Sequence, residues 1–192
     1  MERNEGIVRW SPNQSRDEFL RINLTSRVIN LYEATGQAQP GKFDYSNISR
    51  HSNFPTISGY DWSPVVRGLV GIGTPHGEIH LLRIDDHSNA CLTLPLKLPR
   101  ACQAIAFNTT GLLAVGLDRV RHDSGLQIWD VNERLADWDS SKFGWNVPTL
   151  EIEPRKKLEG SMSVTSIRFF EDSPQTLIFG IRNQALKIYD LR

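Results

Sequence analysis

The sequence predicts an all-β fold in which one unit of antiparallel strands occurs four times along 192 residues. Each unit begins with a short strand that ends in an aromatic residue, and it closes with a strand of alternating apolar residues. The opening aromatics are Trp10, Trp62, Phe107 and Phe169, and the closing positions are Tyr32, Leu82, Trp129 and Tyr189. Opening and closing positions are always 20 or 22 residues apart, although the spacing between units varies, so insertions are confined to connectors. The pattern predicts part of a β-propeller, with about four blades that are each a four-stranded antiparallel sheet.

The second strand of each later unit is an almost continuous apolar run. These runs are Leu69–Gly73, Leu112–Gly116 and Leu177–Ile181. A strand that is apolar on both faces is covered on both faces, as in a sheet that lies between two neighbouring sheets. The predicted blade cores are residues 6–33, 57–85, 102–131 and 164–192. A fourth, outer strand is expected in the region 92–98, and another within 149–152 or slightly later.

Two connectors between the units are long. Residues 34–55 are polar and contain glycine and proline, so we expect a flexible connector there. Residues 132–148 contain Trp138 and Trp145. These two aromatic side chains either pack against the wall of the propeller or contact a partner, because exposed aromatic residues are frequent anchors in protein interfaces.

Composition and charge exclude several classes of function. Lysine and arginine together number 22, as do aspartate and glutamate, so no net field favours nucleic acid or an anionic membrane. No apolar run approaches the ~18 residues needed to cross a bilayer. Cys91 and Cys102 do not form a Cys-x-x-Cys pair and are expected to be small buried apolar residues. We therefore expect protein partners, and neither nucleic acid, nor membrane insertion, nor a small-molecule substrate.

Three motifs could carry chemistry, and each fits a structural interpretation better. Residues 71–77 have the spacing G-x-G-x-x-x-G and precede a strand, whereas a dinucleotide loop precedes a helix. Residues 122–124 are His-Asp-Ser, but three adjacent residues cannot readily form a catalytic relay. His76, Glu78 and His80 alternate along a strand without a fourth metal ligand. The expectation is a protein without catalytic residues, cofactor or metal.

The closing segments Leu126–Asp130 and Leu186–Arg192 resemble the ends of WD-repeat blades. The run from Leu113 to Asp130, with its charged hairpin, resembles the Mio (missing oocyte) family more specifically, as do the segments 7–12 and 179–192. The resemblance covers essentially all of residues 1–192 and implies a WD-repeat propeller segment. It also implies a scaffold subunit of the SEA/GATOR assembly, a peripheral complex at the vacuole or lysosome. That assembly relays amino-acid status to the target-of-rapamycin kinase complex. The helical solenoid and zinc-binding end of the family have no counterpart in this chain.

The charged hairpin is the candidate partner-binding surface. Residues 118–125 carry more charge than a tight turn requires, and Arg119, Arg121 and His122 are the proposed contacts, together with Trp138 and Trp145. The alternative is a solvated loop tip. A competing function, that of a substrate receptor for a cullin-type ubiquitin ligase, rests on the Asp-x-Arg box formed by Asp190 and Arg192.

Four units are fewer than the seven blades common in WD-repeat rings, so the first and fourth blades are expected to expose their flanks. Two explanations stay open for such a partial ring. The chain is a part of a longer propeller, or it closes by pairing with another chain.

Overall fold

A computed structural model describes residues 6–13, 16–87, 91–132 and 152–192. The strands form four antiparallel sheets, which we call blades 1 to 4. Blade 1 contains β1 (Gly6–Trp10), β2 (Glu18–Asn23), β3 (Val28–Gln39) and β4 (Lys42–Ser52); blade 2 contains β5 (Gly59–Trp62), β6 (Leu69–Gly73), β7 (Ile79–Arg83) and β8 (Cys91–Leu94). Blade 3 contains β9 (Cys102–Phe107), β10 (Leu112–Leu117), β11 (Ser124–Asp130) and β12 (Lys156–Gly160); blade 4 contains β13 (Val164–Phe169), β14 (Thr176–Ile181) and β15 (Leu186–Asp190).

Each blade is a meander in which neighbouring strands in the chain are neighbours in the sheet. The predicted opening and closing strands pair with the same central strand: Phe107 lies opposite Leu113, and Leu113 lies opposite Trp129. Opening and closing aromatics therefore share one face of the sheet. The prediction of a partial β-propeller with about four blades is confirmed. Blade 4 differs from the expected four-stranded sheet, because the described residues form only three strands there.

The blades stack through a repeated apolar interface. We call the face that carries the opening aromatic the front face of a blade, and the opposite face its back face. The back of each blade packs on the front of the next, so three apolar clusters join the four sheets. Between blades 1 and 2, for example, Leu20 and Leu31 of the first back face meet Trp62 and Leu82 of the second front face. Burial of these alternating faces is the main force that holds the array together.

Glycines on a back face set the distance between two blades. A Cβ atom on Gly73 would lie 2.2 Å from Sγ of Cys102, and one on Gly71 would lie 3.2 Å from Cε2 of Phe107. Because real side chains do not tolerate the first distance, Gly73 is required for blade 3 to approach this closely.

The segment 34–55 differs from its expected role as a flexible connector. Most of it belongs to a long hairpin, in which β3 continues to Gln39 and β4 spans Lys42–Ser52. A cluster of aromatic rings explains the longer strands. The ring of Tyr45 in β4 packs edge-on against the rings of Tyr32 and Phe19, with ring centroids 5.4 Å and 5.8 Å apart. The outer strand of blade 2 spans Cys91–Leu94 and so lies at the start of the expected region 92–98. The outer strand of blade 3 begins at Lys156, slightly later than the expected residues 149–152.

Candidate protein-interaction site

The charged hairpin between β10 and β11 is anchored at its first end by Asp118. Its carboxylate accepts a hydrogen bond from Oγ of Ser163 at 2.7 Å and lies 3.6 Å from Nη1 of Arg182. The backbone N–H of Asp118 donates to the carbonyl oxygen of Ala101 at 2.8 Å. This end of the hairpin is therefore tied to blade 4 and to the segment that enters blade 3.

Asp123 anchors the second end through a buried ion pair. Nη1 of Arg100 lies 2.8 Å from its carboxylate, and the two side chains are only 5% and 7% exposed. Nη2 of Arg100 donates to the carbonyl oxygen of Ser124. Burial opposes ionisation of Asp123, but the N–H of Ser124 and the guanidinium of Arg100 outweigh it and hold the pKa of Asp123 below its ordinary value.

The two anchored ends leave the tip of the hairpin in solvent. Arg119, Arg121 and His122 are all exposed, and His122 has a positive φ of 62°. The fold thus brings three of the predicted contact residues together on one rigidly attached tip, and their role in binding stays a prediction. Trp138 and Trp145 lie outside the described residues. The anchors were not foreseen, because sequence alone does not show that Arg100 reaches across to Asp123.

A second charged group lines the centre of the array, where the opening strands of all four blades converge around a cavity of about 350 Å³. Nη2 of Arg9 lies 2.6 Å from Asp61, and the Asp61 carboxylate also accepts the N–H of Phe107 at 2.8 Å. Burial raises the pKa of Asp61 above its ordinary value, and the Phe107 N–H, Arg9 and Arg168 oppose the rise. This cluster binds three blades to one another at the axis.

Several of the residues considered for other chemistry have structural partners. His80 lies 3.5 Å from the carboxylate of Glu78 and 3.2 Å from Oγ1 of Thr93, and burial lowers the pKa of His80. No group of three or more potential metal ligands occurs within the described ranges. In the proposed Asp-x-Arg box, the guanidinium of Arg192 folds back on Asp190 and holds the pKa of Asp190 down to about 2.

Comparison with known proteins places this architecture among WD-repeat proteins. No protein-family model matches the chain. SEH-associated protein 4 of Saccharomyces cerevisiae is 30% identical over 97% of this chain and 21% of its own length. The chain is a Mio-like WD-repeat protein. The GATOR2 complex protein MIOS of Dictyostelium discoideum is 30% identical over 92% of the chain, and the GATOR2 complex protein Mio of Drosophila melanogaster is 20% identical over all of it.

Solved structures agree on the fold of this Mio-like chain. It superposes with a TM-score of 0.61 on the computationally designed Ika8 protein, over 97% of this chain and 48% of Ika8, at 14% identity. Raptor of Chaetomium thermophilum also gives a TM-score of 0.61, over 93% of this chain, at 11% identity. The chain spans about a fifth of the length of SEH-associated protein 4 and of the two GATOR2 proteins. Within the described residues, no helix has the length and apolarity to cross a membrane.

Proposed function

We propose that this chain is a non-catalytic scaffold segment that docks protein subunits of a SEA/GATOR2-type complex and thereby promotes target-of-rapamycin complex 1 signalling in response to amino acids. The observation that carries the proposal is the match to three curated relatives named as SEH-associated or GATOR2 proteins, which extends over 92% or more of the chain. On this proposal the chain acts in the cytoplasm, peripherally at the vacuolar or lysosomal membrane through its complex.

The architecture supports a scaffold because it presents loops on rigid sheets. The charged hairpin is held by Asp118 and Asp123, so its tip loses little conformational freedom when a partner binds. An acidic partner surface is the expected complement of Arg119, Arg121 and His122, since opposite charges guide association and set the register of an interface.

The signalling part of the proposal is tested by removing the chain from its native cells. Withdrawal and return of amino acids should then change phosphorylation of target-of-rapamycin substrates less than in normal cells, and re-expression should restore the response. A matched pair of re-expressed variants refines the test. Arg119→Glu/Arg121→Glu should restore little, whereas Lys42→Glu/Lys97→Glu, which makes the same charge change at two exposed lysines elsewhere, should restore fully. An unchanged response after removal of the chain would contradict the signalling role.

A receptor for a cullin-type ligase is the alternative that the Asp-x-Arg box suggests. Asp190 and Arg192 pair with each other, but both side chains are exposed, so the box is accessible to a partner. Capture of a cullin adaptor that is lost in Arg192→Ala would favour this alternative over the scaffold.

A further inference from the structure

The charged hairpin ends in a serine whose hydroxyl group is not used by the fold. Ser124 is the first residue of β11, directly after the tip. Its backbone is occupied, because its N–H donates to Oδ1 of Asp123 and its carbonyl oxygen accepts a hydrogen bond from Nη2 of Arg100. Among the described residues its Oγ makes no hydrogen bond, and the side chain is only partly buried. The hydroxyl group is therefore available for a reaction.

Two arginines precede Ser124 at a defined spacing. Arg121 lies three residues before it and Arg119 five residues before it. Apart from Arg121, no arginine of the sequence has a serine or threonine three residues after it. Protein kinases that select basic substrates recognise arginines at these two positions with carboxylates, since a guanidinium and a carboxylate form paired, charge-assisted hydrogen bonds. Both arginines are exposed, so a kinase can reach them on the folded chain.

We propose that Ser124 is a phosphorylation site of a basophilic serine/threonine kinase, and that phosphate at this position prevents docking at the hairpin tip. In the transfer, Oγ of Ser124 attacks the γ-phosphorus of ATP, and the bond from that phosphorus to the bridging oxygen of the departing ADP breaks. The hydroxyl proton passes to the catalytic base of the kinase. The regulatory half of the proposal rests on the proposed function, in which Arg119 and Arg121 bind an acidic partner.

The charge of the tip explains why one phosphate is enough to change docking. The two carboxylates of the hairpin are held by inward contacts, Asp118 by Ser163 and Asp123 by Arg100. The two exposed arginines of the tip are therefore left to attract an anionic surface. Phosphoserine adds a charge of about −2 at neutral pH, which cancels that attraction and repels an acidic partner.

A kinase needs to open only one end of the hairpin to reach the acceptor. Ser124 lies beyond the residues of β11 that pair with β10, and it pairs only with Gly160 of the outermost strand, β12. The contacts that must be released are the Arg100–Asp123 ion pair and the hydrogen bond from the N–H of Ser161 to the carbonyl oxygen of Asp123. Strand ends open locally at a lower cost than the whole blade. The buried ion pair makes such opening infrequent, so the folded chain should be modified more slowly than a free peptide of this segment.

Incubation of the purified 192-residue chain with ATP and a kinase of this specificity, followed by mass spectrometry, tests the site. We expect phosphate on Ser124 and its loss from that position in Ser124→Ala. Arg119→Ala and Arg121→Ala should each lower the rate by about tenfold or more, because each removes hydrogen bonds to a charged group. Arg50→Ala, at an exposed arginine outside the hairpin, is the matched control and should leave the rate unchanged.

A synthetic peptide of residues 117–127 serves as the reference substrate, and circular dichroism checks that the chain and its variants are folded. A folded chain that gains no phosphate at Ser124 while the peptide is modified would overturn the site. A peptide that the kinase does not modify, or equal rates in Arg121→Ala and Arg50→Ala, would overturn it as well.

The regulatory half is tested with the phosphorylated and the unphosphorylated chain as baits in an extract of the native cells, with quantitative mass spectrometry. Recovery of GATOR2-type subunits should fall by about tenfold or more on the phosphorylated bait, because like charges then face each other, and phosphatase treatment should restore it. Equal recovery on the two baits would overturn the regulation by phosphate but not the proposed function. Absence of these subunits from both baits would overturn the proposed function together with this regulation, whereas the mapped phosphate on Ser124 would stand.

Discussion

Replacement of Arg100 by methionine should destabilise the fold more than any change at the exposed tip of the charged hairpin. Arg100 and Asp123 are both almost completely buried, and their closest atoms are 2.8 Å apart. Removal of one member of a buried pair leaves the other as an uncompensated charge, which costs about 3 kcal/mol or more of unfolding free energy. For a chain of this length, a loss of about 3 kcal/mol lowers the melting temperature by roughly 6–12 °C.

The effect should depend on pH in a defined direction. The pKa of Asp123 is held below its ordinary value in the folded protein. The stabilisation that this provides is complete above the pKa of the unfolded state, near 3.9, and is lost as pH falls through the folded-state pKa. The gap between wild type and Arg100→Met should therefore be largest at neutral pH and should narrow under acidic conditions, as Asp123 becomes protonated.

Urea and thermal unfolding, followed by circular dichroism at several pH values, measure this gap. Arg119→Met is the matched control, since it removes the same side chain from the exposed tip and should change stability by less than about 0.5 kcal/mol. The double variant Arg100→Met/Asp123→Leu should recover much of the loss, because both charges leave the interior. A loss in Arg100→Met no larger than in the control, or one that Asp123→Leu does not relieve, would refute the anchoring role of this pair.

Two further changes test the packing of the blades. Gly73→Ala should cost about 1–3 kcal/mol, because the new Cβ would lie 2.2 Å from Sγ of Cys102, and Cys102→Ala should relieve part of that cost in urea unfolding. Burial raises the pKa of Asp61, so its protonated form stabilises the fold fully below pH ~3.9, and this stabilisation disappears as pH rises through the folded-state pKa. As pH rises from ~4 to neutrality, Asp61→Asn should therefore lose less unfolding free energy than the wild type. Parallel profiles of unfolding free energy against pH for the two proteins would contradict this.

The repeated blade could be predicted from the sequence, because burial between sheets imposes the same alternation of apolar residues on every unit. Trp10, Trp62, Phe107 and Phe169 occupy equivalent positions and marked all four opening strands. The long hairpin of blade 1 was missed since a polar, glycine-containing segment such as 34–55 resembles a connector. Only the three-dimensional contact of Tyr45 with Tyr32 and Phe19 shows why it is a strand.

The candidate site was predictable at its tip but not at its base. An excess of charge marks Arg119 and Arg121 as solvent-exposed, because isolated charges stay in water. The same excess does not show that Asp123 is buried, since its partner Arg100 enters from outside the hairpin, 23 residues earlier in the chain. The pairing of charges between distant segments depends on how those segments approach one another in the folded protein, and the local sequence does not show this approach.

The most direct test of the scaffold function is affinity purification of the tagged chain from its native cells at low salt, with quantitative mass spectrometry of the proteins retained. We predict that SEH-like and other GATOR2-type subunits are recovered with the wild-type chain and with Lys42→Glu/Lys97→Glu, and are strongly reduced with Arg119→Glu/Arg121→Glu at an unchanged melting temperature. Absence of these subunits from the wild-type purification would contradict the scaffold function. Equal recovery with both variants would contradict the assignment of the hairpin tip as the docking surface.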